Sequence, residues 1–245
     1  MKKTDSNSIG NIYFASTSCN DVHSKIYRYM DFDDFICMIE YQRLYVSRKR
    51  FFADKFESQL PSNRLFPFQL FGRKLSQKDE ESLMKRANEI WNTYKESSNL
   101  LTSCWTLRES ENYLMWKAYT RTNIGVRIES TIDNLVSSIK DYQYIIFCGP
   151  ITYKGYGSYK MNELLFSKNI HYSGEEEFRF YFEEEGTASE ITQNSVEIGI
   201  NAKSMINQII LSPFLNKKAQ KTIKEMIETK YTFISGKVKY SSINV

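Results

Sequence analysis

The chain has 245 residues, 41% of them apolar and 25% charged, a globular balance that excludes wholesale disorder and a collagen-like fibre. A chain this long buries roughly 70% of its unfolded surface, so it needs neither disulfides nor a structural metal to fold. Thirty-three basic against 29 acidic residues leave a net charge of +4, which permits a nucleotide or nucleic-acid partner without arguing for one.

Cys19, Cys37, Cys104 and Cys148 form no Cys-x-x-Cys pair, and His23 and His171 stand in no metal-ligand spacing with them, so no metal is expected. No apolar run approaches the roughly 18 to 20 residues of a membrane span. The polar start Met1–Asn11 lacks a signal-peptide core. The expectation is a reduced, cytoplasmic protein with no membrane partner.

Residues 1–24 are rich in Ser, Asn and Thr, with one apolar patch at Ile12–Ala15, and read as a flexible N-terminal arm. Lys25–Tyr29 alternates as a strand, Asp31 is placed to cap a helix, and Phe32, Phe35, Ile36 and Ile39 share that helix's inner face. Leu44–Ser47 reads as a strand. Residues 48–74 are aromatic and basic without periodicity and read as a long loop. The spacing of Leu83, Ala87, Ile90, Trp91 and Tyr94 predicts a helix from Ser76 to about Ser97.

Leu101–Thr106 is the next strand. Ser110 is placed to cap a helix to Arg121 that turns Leu114, Met115, Ala118 and Tyr119 inward. A strand at Gly125–Ile128 and a helix over Ile132–Ile139 follow. Strands are expected at Tyr144–Cys148 and Ile151–Tyr156, and a short helix at Met161–Phe166. Glu175–Phe182 alternates as a strand. Gln208–Leu211 (strand), Lys217–Thr229 (helix), and Tyr231–Ile234 and Lys237–Tyr240 (strands) complete one α+β domain over 25–245.

Three constellations carry chemistry. On a strand, Glu175, Glu177 and Arg179 point one way, a charged row suited to ribose hydroxyls and a cationic sugar centre, and equally to a solvent-facing charge ladder. In Tyr27-Arg28-Tyr29 the guanidinium suits a pyrophosphate and the rings suit a base; an edge-strand arginine among half-buried tyrosines has the same pattern. Trp116 and Tyr119, three apart, share a helical face that suits either a flat ring or plain core packing. No G-x-G-x-x-G or Walker pattern is present, which argues against a Rossmann or P-loop site.

Taken together, Tyr27–Tyr29, Leu44–Ser47, Phe52–Glu57, Cys104-Trp105-Thr106, Met115-Trp116-Lys117-Ala118-Tyr119, Gly125–Ile128 and the run from Lys168 to Arg179 resemble a bacterial domain-of-unknown-function family with that motif order. Ala53 and Lys55 depart from the family's Asn and Pro, and Tyr172 stands where Trp is usual. The order is also similar to that of the ADP-ribosyltransferase superfamily, with Arg28 early, Ser103 or Thr106 in the middle and Glu177 late.

That resemblance implies two packed mixed or antiparallel sheets with flanking helices, and NAD as substrate. It implies Glu177 on the nicotinamide ribose, Glu175 at the acceptor and Arg28 on the pyrophosphate. It places Tyr29, Ser47, Ser103, Thr106, Trp116, Tyr119 and Arg179 around the cofactor. The implied function is an intracellular mono-ADP-ribosyltransferase toxin, of a toxin–antitoxin or phage-defence system, acting on RNA, DNA or protein and held by a cognate antitoxin. Glu177→Gln is then expected to abolish turnover and leave the fold intact. The alternatives are a metal-dependent nuclease using Asp54, Glu57, Glu175 and Glu177, which needs a lysine beside the acidic pair, and a non-catalytic ligand-binding or sensor module.

Overall fold

The computed structural model describes residues 2–3, 12–14, 21–48, 100–141, 144–154, 165–184 and 195–244. The loop expected after Arg48, the Phe52–Glu57 motif and the helix expected over 76–97 lie outside the described residues, as does most of the helix expected at Met161–Phe166.

Strands β1 (Lys2–Lys3), β2 (Ile12–Phe14) and β3 (Lys25–Asp31) lead into helix α1 (Phe32–Tyr41) and β4 (Arg43–Arg48). Next come β5 (Leu101–Thr106), α2 (Tyr113–Tyr119), β6 (Gly125–Thr131), α3 (Ile132–Ser138), β7 (Tyr144–Pro150) and β8 (Thr152–Lys154). β9 (Ser167–Asn169) passes through a 3-10 turn, Ile170–Glu175, into β10 (Glu177–Glu184). β11 (Ser195–Gly199), α4 (Ala202–Met205), β12 (Gln208–Leu211), α5 (Lys217–Lys230) and β13 (Val238–Tyr240) follow.

The fold is α+β. Eleven strands form one mixed sheet in the order β1-β2-β7-β10-β5-β3-β6-β12-β13, with β4 joined to β5 and β11 joined to β4. β8 and β9 make a separate parallel pair. The two sheets expected from the sequence are thus joined, and the joint is a single pair, Tyr27 with Thr106.

The segment expected as a loose arm supplies β1 and β2, and β2 pairs in parallel with β7. The apolar Ile12-Tyr13-Phe14 patch meets an edge of β7 that would otherwise present open backbone groups. Tyr231–Ile234 was expected as a strand and forms a 3-10 turn over Thr232–Ile234. The segment closes α5, whose last turn accepts the Tyr231 N–H at the Ile227 carbonyl.

Alternation in β10 splits its side chains. Phe178, Phe180 and Phe182 enter the main core with Ile26, Phe35, Leu44 and Val126. Glu177, Arg179 and Tyr181 point to the other face, and they are buried too. α1 presents Phe35, Met38 and Ile39 to the core. Asp31 is in cap position but makes no side-chain cap; its carboxylate instead accepts from the backbone N–H and Nε of Arg121. α2 begins at Asn112, whose side chain accepts from the N–H groups of Leu114 and Met115. The later start turns Leu114 outward, 72% exposed, where the sequence pattern had it inside.

Gly125 opens β6 where α2 returns to the sheet. A Cβ there would stand 2.6 Å from the Met30 carbonyl oxygen and collide with the Thr120 methyl. Gly125→Ala is expected to cost about 1 to 3 kcal/mol through overpacking. Chemical denaturation checks it, and an unchanged midpoint would show that both Thr120 and the Met30 carbonyl give way.

Candidate active site

The site exists because the sheet forks. One edge of β5 pairs with β10 along its whole length, from Leu101 to Thr106. Its other edge pairs with β4 at Leu101 and Thr102 and with β3 at Thr106. Among the described residues, no strand pairs with that edge over Ser103–Trp105. β3 turns away there to follow β6 from Lys25 to Asp31.

A pocket of about 560 Å³ opens at this fork, a size usual for small-molecule sites. β3 supplies Tyr27, Arg28 and Tyr29 to it, β4 supplies Ser47, and β5 supplies Thr102 and Cys104–Thr106. α2 adds Met115, Ala118 and Tyr119. The remaining wall is Lys168, Tyr172, Glu175, Glu177 and Arg179. Eight residues expected from the sequence therefore meet here: Arg28, Tyr29, Ser47, Thr106, Tyr119, Glu175, Glu177 and Arg179.

The floor is an ion cluster. Arg179 is 0% exposed and clamps Glu177 with two bonds, Nε to Oε1 at 2.5 Å and Nη2 to Oε2 at 2.9 Å. Lys168 Nζ donates to Glu175 Oε2 at 2.7 Å and to Glu177 Oε2 at 3.3 Å. The Glu177 N–H donates to Tyr153 Oη at 2.7 Å. Burial would push the Glu177 carboxyl up, but Arg179, Lys168 and the Cys104 thiol outweigh it and hold it down at about 2. Glu177 is therefore an ionised, rigidly aimed carboxylate at neutral pH.

Glu175 reaches the pocket by a different route from the one expected. It ends the 3-10 turn rather than sharing a strand face with Glu177, because Glu176 takes a left-handed backbone (φ 44°) that re-aims the chain. Thr106 Oγ1 donates to the Glu175 carbonyl at 2.6 Å, and Arg108 pairs with Glu176 at 2.6 Å, which pins the turn to β5. Thr106 thus positions Glu175. The Tyr119 hydroxyl donates to Glu175 Oε1 at 3.1 Å. Burial, then the Glu175 charge, raises the Tyr119 pKa, so the hydroxyl stays a donor.

Arg28 is half-buried and lines the same pocket. Its Nη1 donates to Ser103 Oγ at 3.0 Å, and the same oxygen accepts from Trp105 Nε1 at 2.9 Å. Among the described residues no carboxylate forms an ion pair with Arg28. Burial lowers its pKa, while Cys104 and Asp34 push the other way; a guanidinium keeps its proton regardless. Among the described residues the pocket wall thus holds three cations, Arg28, Lys168 and Arg179, and two carboxylates. Of these three, Arg28 is the one that forms no ion pair among the described residues.

Two expected contacts are corrected. Ser103 is buried and outside the pocket wall, and its hydroxyl serves to hold Arg28. Trp116 is 0% exposed and does not line the pocket. Its ring packs edge-on against Tyr29 with centroids 4.9 Å apart, and its Nε1 donates to Glu111. The pocket boundary on α2 falls between Trp116 and Tyr119, so the two do not flank one ligand ring.

Lys168 and Tyr153 were missed as site residues. The motif running from Lys168 to Arg179 contained the lysine, but only the 3-10 turn brings it back over the two carboxylates, and strand periodicity carries no trace of that. Tyr153 sits on the short β8, where nothing in the pattern marks it.

The clamp gives Glu177 a structural load beside any role in chemistry, so Glu177→Gln is expected to lower stability as well as turnover. Neutralising it strands the buried Arg179 charge, and stability is expected to fall by about 3 kcal/mol. The pH dependence has a definite sign. The Glu177 contribution is present above its ordinary value of 4.5 and is lost as pH falls toward about 2. Urea midpoints measured across that range should drop for the wild type and much less for Glu177→Gln; equal drops would remove Glu177 from the acid response.

No known protein family, curated protein or solved structure matches the chain, so its chemistry is read from the site itself.

Proposed function

We propose that the protein is a mono-ADP-ribosyltransferase, cleaving NAD and passing ADP-ribose to a macromolecular acceptor. One observation carries the reading: a half-buried guanidinium with no ion-pair partner among the described residues lines the same pocket as a buried, ionised carboxylate. A diphosphate joined to a ribose that becomes cationic answers both groups. Arg28 meets the anionic oxygens in pairs. The tyrosines of β3 and the exposed edge of Tyr119 give flat walls for the rings.

In this reading the glycosidic bond between ribose and nicotinamide breaks, and its electron pair leaves with nicotinamide. Glu177 accepts from the ribose hydroxyl and faces the developing positive charge, where a preorganised carboxylate acts most strongly. Arg179 fixes the angle of Glu177 and touches no ligand itself. Glu175, nearer the pocket mouth, takes the proton of the acceptor nucleophile as the new bond to the ribose carbon forms. The resemblance in motif order to intracellular toxins makes a cytoplasmic toxin held by an antitoxin the matching biological role.

The nuclease reading gains one point: Lys168 is the lysine it needs beside the acidic pair. Yet that ammonium bonds both carboxylates, and Arg179 takes the rest of Glu177. A divalent cation would meet an already neutralised pair. Asp54 and Glu57 lie outside the described residues. A sensor module would tolerate the loss of Glu175, which has no comparable buried clamp.

Titration calorimetry of NAD against wild type and Arg28→Lys tests the proposal. Affinity is expected to fall by about 1.5 to 3 kcal/mol, the range of charge-assisted hydrogen bonds. Agreement within about twofold, well under 1 kcal/mol, would remove Arg28 as the phosphate anchor. Turnover of labelled NAD should also survive a magnesium chelator; an activity that needs magnesium and ignores NAD would favour the nuclease.

A further inference from the structure

The first eight residues of α5 carry four lysines, Lys217, Lys218, Lys221 and Lys224, and its first turn has no acidic residue. Positive charge in the first turn of a helix opposes the macrodipole, so Lys217 and Lys218 weaken the helix that bears them. The four lysines are barely compensated. Among the described residues Lys217, Lys218 and Lys224 form no ion pair, and Lys221 has only an exposed 3.8 Å contact with Glu225.

Exposed rings adjoin this charge. Lys224 Nζ lies 5.3 Å from the centroid of the Tyr240 ring, which is 49% exposed. Just before α5, Phe214 packs edge-on against Tyr113 of α2 with centroids 5.4 Å apart. Lys117, one turn along α2 from Tyr113, sits 3.9 Å over the Phe214 ring. The surface closes on itself: after Tyr240, Ser241 and Ser242 bond Glu111, which stands just ahead of α2. α2 shows Tyr113 and Lys117 to this surface and Met115, Ala118 and Tyr119 to the pocket. α2 thus has one set of side chains on this surface and another on the pocket wall.

We infer that this face binds single-stranded nucleic acid and presents it to the pocket as the acceptor; the acceptor role rests on the ADP-ribosyltransferase reading, the binding does not. Lysines follow the phosphates, and exposed tyrosines stack on unpaired bases. A duplex hides its base faces and would use the lysines alone, so the combination selects single strands.

The test uses the full chain, a fluorescent oligonucleotide of about 12 nucleotides and a variant with Lys217, Lys218, Lys221 and Lys224 all changed to Gln. Gln relieves the unfavourable charge of Lys217 and Lys218 in the first turn, and at Lys221 it gives up only an exposed 3.8 Å contact, so the variant keeps its fold. Each phosphate contact to a single strand contributes about 0.7 to the slope of log affinity against log salt, so the variant's slope should be shallower by about 3. Basal NAD cleavage should be unchanged in the variant while transfer of label to the oligonucleotide is lost.

Equal affinity and slope for both proteins would overturn the proposal, as would a preference for duplex or for anionic lipid vesicles over the oligonucleotide. NAD cleavage without oligonucleotide binding would overturn this surface and leave the transferase reading standing. Lysine-dependent binding without NAD cleavage would establish the surface and overturn its acceptor role.

Discussion

The Glu177–Arg179 clamp is the constraint around which the molecule is arranged. Arg179 is wholly buried, and a guanidinium there is tolerable only with an anion held against it. That requirement fixes one face of β10 as charged while the other delivers Phe178, Phe180 and Phe182 to the core. It also explains the neighbours. Tyr181 Oη accepts from Arg179 Nη1 and donates to the Leu165 carbonyl, and Lys168 completes the charge balance beneath Glu175. The strand is therefore both an interior strand of the sheet and part of the floor of the pocket.

The fork in β5 turns this floor into a cavity. A fully paired strand would place a neighbour against Ser103–Trp105, and Arg28 would have no pocket to face. The single Tyr27–Thr106 pair holds the two parts of the sheet in register beside the gap. Ser103 then carries a load that no ladder partner could take, because its hydroxyl oxygen gathers donors from both Arg28 and Trp105. Polar groups left over by an interrupted ladder are the ones available to a ligand.

Periodicity made the skeleton of this site readable. β5 and β12 have the bounds that alternation suggests, and the charged-and-aromatic alternation of Glu177–Phe182 places each side chain on its observed face. Arg28 stood out in the sequence as a guanidinium between two tyrosines, and the structure places all three on the pocket wall. Trp116 was misplaced because spacing three apart defines a shared face but not which neighbour fills it, and here Tyr29 does. Glu175 and Lys168 were not legible together, since a left-handed Glu176 and a 3-10 turn set their meeting, and both are tertiary outcomes. Short elements escaped for the same reason: β2, β9 and β11 are strands because β7, β8 and β4 offer edges to them.

Glu111 ties these distant parts in an order. Its carboxylate accepts from Trp116 Nε1, from the Ser241 hydroxyl, and from both the N–H and the hydroxyl of Ser242. Trp116 in turn backs Tyr29 in the pocket wall. During synthesis, three of those four bonds have no donor until residues 241 and 242 have cleared the ribosome. Most of the hydrogen bonds that hold Glu111 behind the pocket wall can therefore form only after every charged group on the pocket floor has been made.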